Sequence, residues 1–218
     1  ILPVISSLGP KAFEAILNEC RIDPHTNELE CNTLIGGNTD LLLNLILDCP
    51  GEAEVDPSIR VANIKKIQIW GQTELASLEK FTQLEELEAC WISNLAGLGR
   101  LTGLKKMKCP NYEFFKLFEN PESLSNLHSL EEIDLSANAQ LNDLSGLGSL
   151  PNLKRLNLSG CDGLTDLREL AHLTGLEGLD LSGINELEDV RPLTNLKNLK
   201  SLNLSHCGDQ SLGTFPEH

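Results

Sequence analysis

A phrase that returns every 23 residues constrains this chain more than any other feature. Leu130, Leu153, Leu176 and Leu199 each open the pattern LxxLxL, spelled LEEIDLS, LKRLNLS, LEGLDLS and LKSLNLS. Between phrases the apolar residues advance by three: Leu141, Leu144, Leu147, Leu150, then Leu164, Leu167, Leu170, Leu173, then Leu187, Val190, Leu193, Leu196. Weaker versions stand upstream, LKKMKC from Leu104, LEELEA from Leu84, IKKIQI from Ile64 and LLNLIL from Leu42. The intervals from Leu42 onward are 22, 20, 20, 26, 23, 23 and 23 residues, so eight repeats are expected.

The two spacings predict two kinds of backbone. LxL has period 2, the mark of a short strand with one apolar face. A spacing of three suits 3₁₀ turns, in which residues three apart eclipse one another. A single unit of this kind has too little apolar surface to stand alone, so units must stack and bury leucine on leucine. The result is a solenoid with a parallel sheet along its concave side. At ~4.8 Å per strand, seven spacings give a face on the order of 34 Å long.

These phrases make the chain resemble leucine-rich repeat proteins over 41–212, with LNDLSGLGSLPNLKRLNLSG and LTDLRELAHLTGLEGLDLSG most similar to the short-repeat bacterial, internalin-like class. The repeats depart from that class in being 23 long rather than 22, and in their frequent cysteine. The resemblance implies an α/β fold, a leucine-rich repeat solenoid with 3₁₀ or irregular turns on the convex side. It also implies a buried Asn or Cys eight residues after each opening leucine. Asn138, Cys161, Ile184 and Cys207 hold that position.

Composition narrows the function. The chain has 218 residues, 17 Lys+Arg against 32 Asp+Glu, and a formal net charge of −15. That sign argues against nucleic acid or an anionic membrane as the main partner. No apolar run approaches the length of a bilayer span, so no membrane insertion is expected. Because the chain starts at Ile1 rather than Met, a leader would leave no trace in it.

The polar residues that look chemical have structural readings. Asp143, Asp166 and Asp189 recur 13 residues after the opening leucine, where a carboxylate caps the turn that follows. One acid per repeat is too few for calcium, which takes six or more oxygens. Cys109 falls at an inward strand position. Near the N-terminus, Cys20 and Cys31 could pair as a disulfide in an oxidising compartment. Three reduced thiols, counting Cys49, fit equally well, and a zinc site with His25 is a third option. The chain shows no HExxH, GxSxG or phosphate-binding glycine loop, so neither catalysis nor a cofactor is expected.

Once the leucines point inward, their neighbours must line the concave face. The second, fourth and sixth residues after each opening position read Lys66, Gln68, Trp70; Glu86, Glu88, Cys90; Lys106, Lys108, Pro110; then Glu132, Asp134, Ser136. The remaining strands add Arg155, Asn157, Ser159; Gly178, Asp180, Ser182; and Ser201, Asn203, Ser205. Charge alternates from strand to strand, which stabilises a sheet face through cross-strand pairs and also gives a partner a pattern to read. Trp91, seven residues after Leu84, joins Trp70 as a second aromatic anchor. Cytoplasm is mildly favoured as the location, or a bacterial origin. The sequons Asn157-Leu158-Ser159 and Asn203-Leu204-Ser205 would otherwise place glycans on this face.

The expected division is a helical cap over 1–40, about eight repeats over 41–212, and a short tail or shortened cap over 213–218. Pro10 suits the start of the cap helix, with Ala12, Phe13, Ile16, Leu17 and Cys20 on its apolar face. The insertion NYEFFKLFENPES is expected to form a short helix docked on the convex side. The leading function is a monomeric, non-catalytic module that binds a protein partner, as a host-interaction factor or inhibitor. The alternatives are the substrate-recognition part of a larger enzyme, such as a ubiquitin-ligase effector, and a scaffold subunit.

Overall fold

The computed structural model describes residues 20–22, 28–32, 64–74, 78–79, 81–94, 97–110, 124–187 and 189–207. For 20–22, 28–32, 70–74 and 91–94 only the backbone is described. The expected helix over 10–20, the LLNLIL phrase, the insertion after Pro110 and the tail beyond 207 therefore lie outside the described residues, apart from Cys20 itself.

Seven of the eight expected repeat strands are present. They are β3 (Lys66–Glu74), β4 (Glu86–Asn94), β5 (Lys106–Lys108), β6 (Glu132–Asp134), β7 (Arg155–Asn157), β8 (Gly178–Asp180) and β9 (Ser201–Asn203). They pair in chain order, all parallel, and equivalent residues face each other: Leu87 with Met107, Met107 with Ile133, Ile133 with Leu156, Leu156 with Leu179, Leu179 with Leu202. A register slip of one residue would turn every leucine to water, and the burial of each inward residue forbids it. Ile67, Leu87, Met107, Ile133, Leu156 and Leu179 are all at most 3% exposed.

Behind the sheet, the residues at spacing three close successive tight turns. Leu147 N–H donates to Leu144 O, Leu150 to Leu147, Leu170 to Leu167, and Leu173 to Leu170. Two such runs are long enough to be 3₁₀ helices, Arg168–His172 and Arg191–Asn195, and Leu98–Arg100 forms a third. The whole set, from Ile64 to Cys207, forms one continuous core.

The N-terminal end differs from expectation. Two strands, β1 (Cys20–Ile22) and β2 (Glu28–Asn32), pair antiparallel, and β2 then pairs in parallel with β3. The place beside β3 that the LLNLIL phrase was expected to take is thus held by Glu28–Asn32. Its sequence ELECN alternates charged and apolar residues, the pattern of a half-buried strand. Cys20, assigned from sequence to a helix face, begins a strand.

Candidate functional site

The polar face of the sheet carries the candidate site, and its charges are arranged in rows that cross the strands. In the second-position row, Lys106 Nζ lies 3.5 Å from Glu86 and Arg155 Nη2 lies 2.8 Å from Glu132. Lys66 is the register partner of Glu86. In the fourth-position row, Glu88 accepts hydrogen bonds from Lys108 Nζ and Gln68 Nε2, each at 2.9 Å. Burial alone would raise the Glu88 pKa; the bonds from Lys108 and Gln68 outweigh it, and the net shift is downward.

Towards the C-terminal end the fourth-position row changes character. Asp134, Asn157, Asp180 and Asn203 each accept the N–H of the serine two residues on, at 2.9–3.1 Å. These are Asx turns, which end each strand with a side chain in place of the next ladder bond. Asp180 also accepts from Ser182 Oγ at 2.6 Å and Asn203 Nδ2 at 3.0 Å. Those hydrogen bonds hold its pKa down against the opposing effect of burial. The two sequons are members of this series: Asn157 and Asn203 do the same work as Asp134 and Asp180.

Gly178 interrupts the second-position row between Arg155 and Ser201, and a side chain there would meet Ser201 Oγ at 3.1 Å. Around it lies a shallow depression of about 370 Å³, lined by residues of β6, β7, β8 and β9, among them Glu132, Asp134, Arg155 and Asp180.

One row was missed. The residue directly after each opening position reads Lys65, Glu85, Lys105, Glu131, Lys154, Glu177 and Lys200, a strict alternation. Glu85 receives Lys65 at 2.8 Å and Lys105 at 2.6 Å, Lys154 meets Glu131 at 2.8 Å, and Lys200 meets Glu177 at 2.7 Å. The hydrogen bonds from Lys105 and Lys65 lower the Glu85 pKa to about 2. The signal was visible at the same repeat period, one residue ahead of the rows that were read.

One expectation about the face needs correction. Cys90 and Pro110 sit at outward register positions yet are buried, whereas Ser136 in the same row is partly exposed. Trp70 pairs with Cys90, and Trp91 is the next residue along β4. The side chains of both tryptophans lie outside the described residues.

The positions read as structural behave as such. Asn138 is 2% exposed and donates from Nδ2 to Leu135 O at 2.6 Å and Cys109 O at 3.0 Å. Cys161 and Cys207 donate through Sγ to Leu135 O and Leu181 O at 3.2 and 2.8 Å. Desolvation pushes the Cys161 thiol up to about 12 and raises that of Cys109 as well. Asp143, Asp166 and Asp189 each accept the N–H two residues on, at 2.8–2.9 Å, and Arg168 and Arg191 fold back on the last two. Among the described residues no group of His, Cys, Asp and Glu is placed to hold a metal. No helix among them is long and apolar enough to cross a membrane.

The parallel ladder, the turns at spacing three and the buried Asn/Cys series together decide the architecture. The chain is a leucine-rich repeat solenoid. Residues 128–172 match the family model described as leucine-rich repeats in two copies. Among solved structures it is similar to internalin inlF from Listeria monocytogenes, with a TM-score of 0.55 and 19% identity over 90% of this chain. It is likewise similar to internalin C2 (inlC2) from the same species, with a TM-score of 0.50 and 20% identity over 82% of this chain. The aligned part spans 62% of the inlF chain and 80% of the inlC2 chain. No curated protein matches it by sequence. The solenoid is internalin-like in fold, and solenoids of this kind offer extended concave surfaces for binding other proteins.

Proposed function

We propose that this leucine-rich repeat solenoid is a non-catalytic module that binds a protein partner on its concave sheet face, from Lys66 at one end to Asp180 at the other. The observation that supports this reading is the depression over β6–β9, floored by Gly178 and rimmed by Arg155 and Asp180. A flat, fully self-paired charge ladder offers a partner little beyond what water already offers. Here the second-position row stops at Gly178, and Asp134 and Asp180 carry no ion pair to a basic side chain among the pairs described. Trp70 and Trp91 are proposed as anchors towards the opposite end, because tryptophan is enriched among the residues that dominate binding energy. A role as a host-interaction factor or inhibitor follows from the same surface.

The test compares three proteins as baits in one lysate: wild type, Arg155→Glu with Asp180→Lys, and Arg168→Glu with Arg191→Glu. The second variant alters the 3₁₀ side, where both arginines are more than four-fifths exposed. A protein partner retained by wild type and by the 3₁₀-side variant, with at least a tenfold weaker hold by the sheet-face variant, is the expected result. Loss on the 3₁₀ side with full retention by the sheet-face variant would sink the concave-face reading. Trp70→Ala with Trp91→Ala, assayed against the same partner, checks the other end.

A further inference from the structure

The antiparallel register of the N-terminal hairpin sets Cys20 directly opposite Cys31, with Arg21 opposite Glu30 and Ile22 opposite Leu29. Opposed residues of an antiparallel pair have Cα atoms about 4.5–5.5 Å apart. That distance falls inside the roughly 4.4–6.8 Å range that a disulfide spans. The pair also stands at a particular place in the hairpin. Cys20 opens β1 and Cys31 is the next-to-last residue of β2, so the two meet at the end away from the connection over 23–27. Three residue pairs hold β1 in place, and a ribbon that short is marginal without further support.

The register row extends into the core. Cys31 is paired with Ile69, and Ile69 with Ala89, and both of these are fully buried. A cystine has no polar group that must be solvated, so it suits a row of this kind. The other described cysteines, Cys90, Cys109, Cys161 and Cys207, are free and buried along the repeats, and two of them are engaged in the carbonyl ladder.

We propose that Cys20 and Cys31 form a cross-strand disulfide that locks the edge strand β1 to β2 at the N-terminal end of the sheet. The oxidant is a low-molecular-weight disulfide such as oxidised glutathione. One protein thiolate attacks its S–S bond, releases one thiol and forms a mixed disulfide; the second protein thiolate then displaces the other thiol. Two protein thiols thereby lose two electrons and two protons, and the oxidant leaves as two thiols. Reduction removes that covalent link, so the attachment of the edge strand β1 to β2 becomes sensitive to redox conditions.

The test uses the full chain equilibrated with oxidised glutathione, its free thiols alkylated, and digested with trypsin and Asp-N without reduction. Cleavage after Arg21 and before Asp40 places Cys20, Cys31 and Cys49 on separate peptides. Mass spectrometry should find the Cys20 and Cys31 peptides joined and lighter by two hydrogens, with Cys49 alkylated. Alkylated Cys20 and Cys31, or a link from either to Cys49, overturns the proposal. Reductant should then lower the melting midpoint of the wild type by on the order of 5 °C. The Cys20→Ser/Cys31→Ser protein should melt at one temperature with or without it. A linked wild type indifferent to reductant would refute the locking role.

Discussion

Two of the described residues hold backbone angles that side chains resist. Ala137 and His206 both have φ of +59°, while the equivalent positions of the two repeats between them are Gly160 at +68° and Gly183 at +76°. The turn after each strand thus demands a left-handed residue, and glycine meets the demand without the Cβ clash that costs others roughly 1–2 kcal/mol. A Cβ at Gly183 would find its nearest neighbours at 3.6 and 3.7 Å, so space is not the constraint; conformation is. Gly183→Ala should therefore lower stability by about 1 kcal/mol. Ala137→Gly should gain less than about 1 kcal/mol, because the freer unfolded chain offsets part of the relief. Urea unfolding of both variants measures this, and a Gly183→Ala protein as stable as wild type would show that the turn tolerates side chains freely.

At the scale of the element, each repeat strand is only three residues long from β5 onward, and rows of charge stitch one strand entrance to the next. Glu85 is the node of the N-terminal rows, held by Lys105 and Lys65, and its pKa falls to about 2 from the usual carboxylate range. A carboxylate depressed in the folded state stabilises the fold at every pH above its unfolded value of about 4.3. That contribution is lost as pH falls through 4 towards 2. Glu85→Gln should thus melt below wild type at pH 7 and converge with it near pH 2. A difference that persists unchanged at pH 2 would remove the charge explanation. The rows also show where sequence reading stops. Period 2 and the leucine phrase were enough to place Lys106, Glu132 and Arg155 on the face, because burial on the other face leaves them no choice. Cys90 and Pro110 obey the same parity and are nonetheless buried, because parity fixes the side a residue faces and not what packs against it. The β1–β2 hairpin was missed for a related reason: ELECN is too short to outweigh the helical pattern just before it.

Across the whole molecule, stability is a sum over neighbours, and the inward leucines record how many neighbours each repeat has. Leu156 and Leu179 occupy equivalent positions and are 2% and 3% exposed, whereas Leu202, in the last described strand, is 37% exposed. Leu176 is fully buried, while its counterpart Leu199 is only partly so. The gradient follows from stacking alone, because a repeat unit covers the side chains of the one before it. One substitution made at three positions of identical local sequence role then reads the gradient directly. Leu156→Ala should cost about 2–5 kcal/mol, in the range of a buried leucine that leaves a cavity. Leu179→Ala should fall in the same range. Leu202→Ala should cost under about 1.5 kcal/mol, since much of its surface is already in water. Chemical denaturation of the three variants at one temperature supplies the numbers. Equal losses at all three would mean that β9 is covered as fully as β7 and β8.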